Sequence, residues 1–203
     1  MSDADSTDSP LDTLRPVELA GARGELPDWA RVTLKRREHM ARVAALMEEW
    51  AHRLHLPEGE ALRWAAAGWL HDALKDEDPA QLVHLVSSEE RDLPGPVLHG
   101  PAAAARLKGE VDPRLQAAIR YHTIGHPKLE SLGRALYLAD YLEPGRAFAP
   151  EWRAGLRARM PADMDAVLVE VLDARLRDLI DKRRPIRAET AAFWSVAIAG
   201  GSE

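Results

Sequence analysis

The sequence of 203 residues contains no cysteine. That absence excludes disulfide frameworks, thiolate nucleophiles, cysteine-ligated zinc and iron–sulfur clusters, and it fits a reducing cytoplasm. No apolar run approaches the ~18 residues that a membrane-spanning helix needs, so no membrane segment is expected. No signal peptide is expected, because the first residues are acidic rather than basic and then apolar. A basic surplus is also missing. The formal net charge is −6, which argues against duplex nucleic acid as a partner and leaves room only for a local basic patch suited to a phosphorylated small molecule. No internal repeat and no alternating strand pattern stands out. The length suits one domain with a substantial core, and the reading is all-α.

What is present falls into a tail and a body. Residues 1–27 are rich in Ser, Asp, Pro and Gly, and hold six acids against two bases, so most of the negative charge sits there. They read as a poorly ordered acidic tail, by default a lineage-specific extension, with docking the minority view. From Asp28 to residue 203 the pattern is helical. Val43, Leu46, Met47, Trp50 and Leu54 recur at spacings of three and four. Pro57 starts a second helix over about Glu58–Lys75, whose Ala65-Ala66-Ala67-Gly68 segment allows close approach of a neighbour. A short helix is predicted near Pro79–Val86, then a loop over Asp92–Pro101 and a helix over Ala102–Leu107. Asp112-Pro113 is a capped helix start, and that helix reaches about His122. Further helices are predicted over about Lys128–Leu142, Pro161–Lys182 and Ala188–Ile198.

Several of these helices carry polar residues on faces that should be buried. His39 is four before Val43. His122 is three after Ile119, and Asp140 is four after Leu136. His71 and Asp72 adjoin at the end of the alanine-rich helix, about 100° apart if the helix continues through them. They cannot share one direction, but they can flank a cluster of metal ions, with the carboxylate reaching a second ion. His99 sits where a loop enters a helix. A lone inward histidine is more often a hydrogen-bonded core residue than a ligand. Two aspartates with four histidines are different, because buried ionised carboxylates need a common compensating charge. Imidazole and carboxylate together suit iron, manganese, cobalt or zinc better than calcium. His52, His55 and His84 fit solvent-facing roles.

The words around these residues appear in a telling order: Glu38-His39, Ala67-Gly-Trp-Leu-His-Asp-Ala-Leu-Lys75, Leu98-His99-Gly100, Ile119-Arg-Tyr-His-Thr-Ile-Gly125 and Leu136-Tyr-Leu-Ala-Asp-Tyr-Leu-Glu-Pro-Gly-Arg146. Together with Leu179-Ile-Asp-Lys-Arg-Arg-Pro-Ile186 they resemble the YqeK family of bacterial HD-domain enzymes, over roughly residues 30–195. The resemblance implies an HD-domain helical bundle with a dinuclear, iron-type centre in its core. It also implies symmetrical hydrolysis of diadenosine tetraphosphate to two ADP. Carried over by motif, His39, His71, Asp72 and Asp140 hold one metal, Asp72 bridges, and His99 and His122 complete the second. His126 departs from the family's usual Arg or Lys, which bears on a phosphate contact there and not on the metals.

Two close cations can lower the pKa of a bridging water and stabilise charge on phosphoryl oxygens. Asp72, Lys75 and Arg146 are therefore the expected catalytic residues. Lys75, Thr123, Gly125, His126 and Arg146 are the expected substrate contacts. Lys75 has a bland alternative, pairing with Asp76, Glu77 or Asp78 at the surface. Glu143 is expected to cap or to anchor Arg146. Other readings are a different nucleotide phosphohydrolase or phosphodiesterase, and a nucleotide-sensing module whose metal site is only structural. Dinucleoside polyphosphates or other nucleotides are the expected partners, and oligomerisation stays open.

Overall fold

The computed structural model describes residues 14–200, and among them it contains ten α-helices and no strand. These are α1 (Pro16–Ala22), α2 (Leu34–Arg53), α3 (Glu58–Leu70), α4 (Pro79–Leu82), α5 (His99–Arg106), α6 (Pro113–Tyr121), α7 (Ser131–Leu142), α8 (Pro150–Arg159), α9 (Met164–Asp181) and α10 (Ala188–Gly200). Of two short 3-10 turns, Gly95–Val97 lies in the segment read as a loop and Ser88–Glu90 just before it.

The centre of the bundle is α3, which packs on α1, α2, α6 and α7. Trp64, Ala65, Ala66, Ala67 and Leu70 are buried, and Arg63 is the charged side chain that this helix buries with them. Its small residues act as the sequence suggests. A Cβ on Gly68 would come within 2.4 Å of Ala44 Cα, so α2 and α3 touch backbone to backbone at that point. On α2, the stripe predicted from Val43 holds as far as Trp50: Val43, Met47 and Trp50 are buried in the core, with His39 on the same side, whereas Leu54 lies past the helix end and is exposed. Asp112 caps α6 as expected, its carboxylate accepting from the Arg114 N–H at 2.7 Å.

Three departures from the sequence reading matter. The first concerns the acidic tail. Residues 1–13 lie outside the described residues, but within 14–27 the chain forms α1, which packs on α3. Its anchor is Glu18, fully buried. The Glu18 carboxylate accepts from the Arg15 N–H at 2.8 Å, the Asp112 N–H at 2.9 Å and Arg63 Nε at 3.2 Å. Composition misled because this helix is held by a buried charge rather than by a run of apolar residues. The second departure is α8, whose sparse contacts Trp152, Leu156 and Met160 recur every four residues among arginines. The third is the end of α3. The helix stops at Leu70, not Lys75, and residues 71–76 form turns.

The Glu18 network predicts a stability effect. Glu18→Ala should lower unfolding stability by about 1–3 kcal/mol, because Arg63 stays buried and keeps only Glu60 and Asp112 as partners. A urea midpoint equal to that of the unsubstituted protein would show that α1 contributes nothing to the bundle.

Candidate metal centre

Five elements bring six metal-ligating side chains together. His39 comes from the second turn of α2, His71 from the C-cap of α3, and Asp72 from the turn just beyond. His99 is the first residue of α5, His122 the C-cap of α6, and Asp140 lies in the last turn of α7. The early end of α3 is what aims Asp72. The backbone after it is stitched to the strand-like approach to α2. The Arg31 N–H donates to Ala73 O at 2.7 Å, and the Thr33 N–H and hydroxyl both donate to Asp76 Oδ2, at 2.7 and 2.9 Å. Within the turns the Ala73, Lys75 and Glu77 N–H groups donate to Leu70 O, Asp72 O and Leu74 O, while His71 keeps helical dihedrals and its N–H donates to Ala67 O.

Asp72 is the midpoint of the cluster. Its Oδ1 lies 3.0 Å from His99 Nε2 and 3.4 Å from His122 Nε2. Its Oδ2 lies 3.5 Å from His71 Nε2 and 3.6 Å from His39 Nε2. Asp140 Oδ1 joins the second group, 3.1 Å from His39 Nε2 and 4.0 Å from His71 Nε2. One carboxylate thus faces two pairs of imidazoles, one with each oxygen.

The outer nitrogens are tied down. The Nδ1–H of His71 donates to Gly68 O at 2.8 Å, that of His99 to Pro96 O at 3.0 Å, and that of His122 to Ile119 O at 2.7 Å. His39 Nδ1 donates to Glu143 Oε1 at 3.2 Å. Each bond selects the tautomer whose Nε2 lone pair points inward, the usual arrangement behind a metal-binding imidazole. Nε2 of His39 and of His71 are buried with no hydrogen bond among the described residues. Two donor groups, His39 with His71 and Asp140, and His71 with Asp72 and His122, have the spacing to hold an ion. These orphaned nitrogens, beside hard carboxylate oxygens and without thiolate, fit a pair of divalent or trivalent cations. The last turns of α3, α6 and α7 add their negative dipole ends to the same spot.

The charge states agree. Burial alone would raise the pKa of Asp72, yet His71 and the hydrogen bonds of His122, His71 and His99 hold it well below the usual carboxylate range. Asp140 is lowered too, because His39 and the Arg146 guanidinium overcome its burial. Glu143 resists burial in the same way: hydrogen bonds from His39, Arg42 and the Gly145 N–H hold it at about 2. Burial pushes His99 down to about 4, so its imidazole is neutral and able to ligate. For His39, the neighbouring carboxylates Asp140 and Glu143 raise the pKa more than burial lowers it.

The remaining expected site residues divide. Lys75 Nζ donates to Pro96 O at 3.2 Å and lies 3.5 Å from both ring nitrogens of His99, not against Asp76, Glu77 or Asp78. Burial lowers its pKa. Arg146 pairs with the Asp140 carboxylate and donates from Nη2 to Asp140 O at 3.0 Å. The Thr123 hydroxyl lies 3.1 Å from His122 Nε2 and 3.5 Å from His99 Nε2. Gly125 and His126 are not brought into the cluster. Gly125 has φ +74°, and a Cβ there would sit 2.2 Å from the Phe193 ring of α10, so glycine is needed for packing. His126 stacks on Tyr121 at 4.3 Å and accepts from the Lys128 N–H. His52, His55 and His84 are exposed, as expected.

One residue, Arg36, escaped sequence reasoning, and Glu143 was read for only part of its role. Arg36 donates from Nη1 to Asp72 Oδ2 at 2.7 Å. Glu143 anchors Arg146 only at 3.6 Å. Its closer partners are His39 Nδ1, Arg42 Nε at 2.6 Å and the Gly145 N–H at 2.6 Å. A signal existed: Arg36 and Arg42 flank His39 by one turn on either side, on an inward-facing stripe.

Comparison with known proteins identifies the family. The HD domain family profile matches residues 36–145, a span that contains all six clustered residues. The symmetrical bis(5'-nucleosyl)-tetraphosphatase of Staphylococcus aureus is 32% identical over 133 residues, 62% of this chain and 64% of that protein. The enzyme of the same name from Halalkalibacterium halodurans is 31% identical over 102 residues, 49% of this chain and 54% of that protein. The matches thus span less than two thirds of either relative. A crystal structure from Clostridium acetobutylicum, described as a predicted HD superfamily hydrolase involved in NAD metabolism, aligns with a TM-score of 0.72 at 25% identity. It covers 83% of this chain and 92% of that one. Among the described residues no helix is long and apolar enough to cross a membrane.

Two substitutions test the centre. His99→Ala should deplete one metal equivalent in preference to the other, read by elemental analysis of the purified protein; unchanged metal content would refute a two-site cluster. Glu143→Gln should weaken metal retention against a chelator by about ten- to a hundredfold, the usual effect of losing a carboxylate behind a ligating histidine. Full retention with an intact helical signal would limit Glu143 to holding Arg42.

Proposed function

The chain belongs to the HD-domain family, and from the site it builds within that family we propose that it is a metal-dependent phosphohydrolase that cleaves diadenosine tetraphosphate symmetrically to two ADP. The observation that carries this reading is Asp72, whose two oxygens face His99 and His122 on one side and His39 and His71 on the other. That is the donor arrangement a bridged metal pair requires. His39, His71, Asp72 and Asp140 would hold one ion, and Asp72, His99 and His122 the other. Iron is the metal we propose, with manganese, cobalt or zinc matching the same donors. When bound, such a pair supplies an acidified water and neutralises charge on phosphoryl oxygens.

The chain's own residues do the rest. Arg36, Lys75 and Arg146 surround the cluster with positive charge, which suits a polyphosphate and repays its desolvation. Each is held by a carboxylate or carbonyl, so the charges are in place before substrate arrives. Lys75, made less basic by burial, is the proton donor we assign to the leaving phosphate oxygen. The Thr123 hydroxyl, touching both His99 and His122, orients a phosphoryl oxygen next to them. Water adds at the phosphorus next to the central bridging oxygen, that P–O bond breaks, and the proton ends on the departing ADP. The shared name of the bacterial relatives supports the tetraphosphate as substrate. The cysteine-free composition is in keeping with a cytoplasmic setting.

Product analysis tests the reading. The as-isolated protein incubated with diadenosine tetraphosphate should yield ADP alone. ATP with AMP would mean a different position of attack, and bound nucleotide without turnover in iron or manganese would favour a sensing role.

A further inference from the structure

Beside the cluster lies a cavity of about 150 Å³. Part of its lining, His122, Thr123 and Asp140, belongs to the metal centre. The rest carries three guanidiniums, Arg146 from the segment after α7, Arg153 from α8 and Arg175 from α9. Against these three positive groups the cavity lining offers one carboxylate, Asp140, which Arg146 and His39 already engage.

Arg153 and Arg175 have no carboxylate partner among the described residues. Asp178, one turn beyond Arg175, is paired with Lys182 at 2.6 Å. Arg153 is only 6% exposed. Its Nη1 donates to Tyr141 O, its guanidinium lies 4.3 Å from the Tyr141 ring, and its Nε is buried with no hydrogen-bond partner. A cation–π contact offsets only part of the penalty for burying a charge. An unpartnered N–H at that depth needs a polar group to accept from it. Guanidinium forks match phosphate oxygens in geometry as well as in charge. The cavity is well below the 300–1,000 Å³ typical of sites for drug-sized ligands, so it suits phosphoryl groups rather than a nucleoside.

We propose that Arg153 and Arg175 form a second anion subsite that holds the far phosphates of the polyphosphate chain while a nearer phosphorus lies at the metal centre. This deepens the phosphohydrolase reading and rests on it. Its consequence is register. With the far phosphates pinned, one phosphoanhydride bond is presented for attack. Without that anchor the chain slides by a phosphate and the cut moves.

The test uses the purified full-length protein with the metal it carries. Inorganic pyrophosphate is titrated calorimetrically into the unsubstituted protein, Arg175→Gln and Arg134→Gln. Arg175 is a half-buried helix residue, so its substitution leaves the fold intact, which the helical signal verifies. Arg134 pairs with Asp165 at 3.0 Å, does not line the cavity, and serves as a control for general charge loss. Arg175→Gln should weaken pyrophosphate binding on the order of ten- to a hundredfold, the worth of a charge-assisted contact, with Arg134→Gln unchanged. Equal binding by Arg175→Gln and the unsubstituted protein, or no binding at millimolar pyrophosphate, overturns the subsite. With diadenosine tetraphosphate, Arg175→Gln should release ATP and AMP beside ADP; ADP alone at an unchanged KM overturns its role in register. If the unsubstituted protein leaves the tetraphosphate intact, the phosphohydrolase reading fails, and the pyrophosphate titration still decides whether the anion site exists.

Discussion

The buried carboxylate of Asp72 is the constraint around which the molecule is arranged. A lone ionised carboxylate in an all-α core is too costly to keep, so everything near it serves to compensate it. Four imidazoles face its two oxygens, and Arg36 donates to one of them. This demand explains the local backbone. The regular helix ends at Leu70, and the turn that follows is fastened to the approach to α2, Ala73 O accepting from the Arg31 N–H and the Asp76 carboxylate from the Thr33 N–H and hydroxyl. The site is therefore built at helix ends, where side chains can converge without sharing one helical face.

A second layer fixes the first. Three of the four imidazoles lean on carbonyls within their own turn, Gly68, Pro96 and Ile119, and the fourth leans on Glu143. Such short-range bonds hold the rings without long, flexible supports. Glu143 extends the layer by gripping Arg42 and the turn at Gly145. That turn leads to Arg146, so the imidazole side and the guanidinium side of the site are mechanically one piece. Beyond it the character changes from carboxylate and imidazole to guanidinium, as a polyanion lying across a metal pair would require.

The scaffold must be stiff for this to work, and its stiffness comes from close approach and buried charge. Gly68 lets α2 and α3 meet at backbone distance, which sets His39 against His71 with ring centres 5.4 Å apart. Gly125 lets Phe193 of α10 press on the turn after His122. On the far side of α3, Glu18 and Arg63 tie α1 to α3 and α6. Both partners are almost fully buried, so the pair resists the screening that weakens surface ion pairs.

By itself the sequence determined a good deal. Helical periodicity, the cap at Asp112-Pro113 and the alanine-rich stretch specified an all-α bundle. The inward phase of His39, His122 and Asp140 marked them as one set, because apolar period and chemistry disagree at those positions alone. What stayed hidden has a common physical cause: it depends on contacts between residues far apart in the chain. Glu18 reads as one more tail acid until Arg63 and the Asp112 N–H surround it. Arg36 draws no notice, and Glu143 reads as a cap or an anchor for Arg146, until Asp72 and His39 meet them. Gly125 and His126, next to His122 in sequence, lie against Phe193 and Tyr121. Arg153 and Arg175, from helices whose pattern says nothing about charge, share a cavity only because α8 and α9 fold back on α7. Periodicity is a local property and survives in the sequence. Compensation of buried charge acts through space, and only the tertiary structure decides which residues provide it.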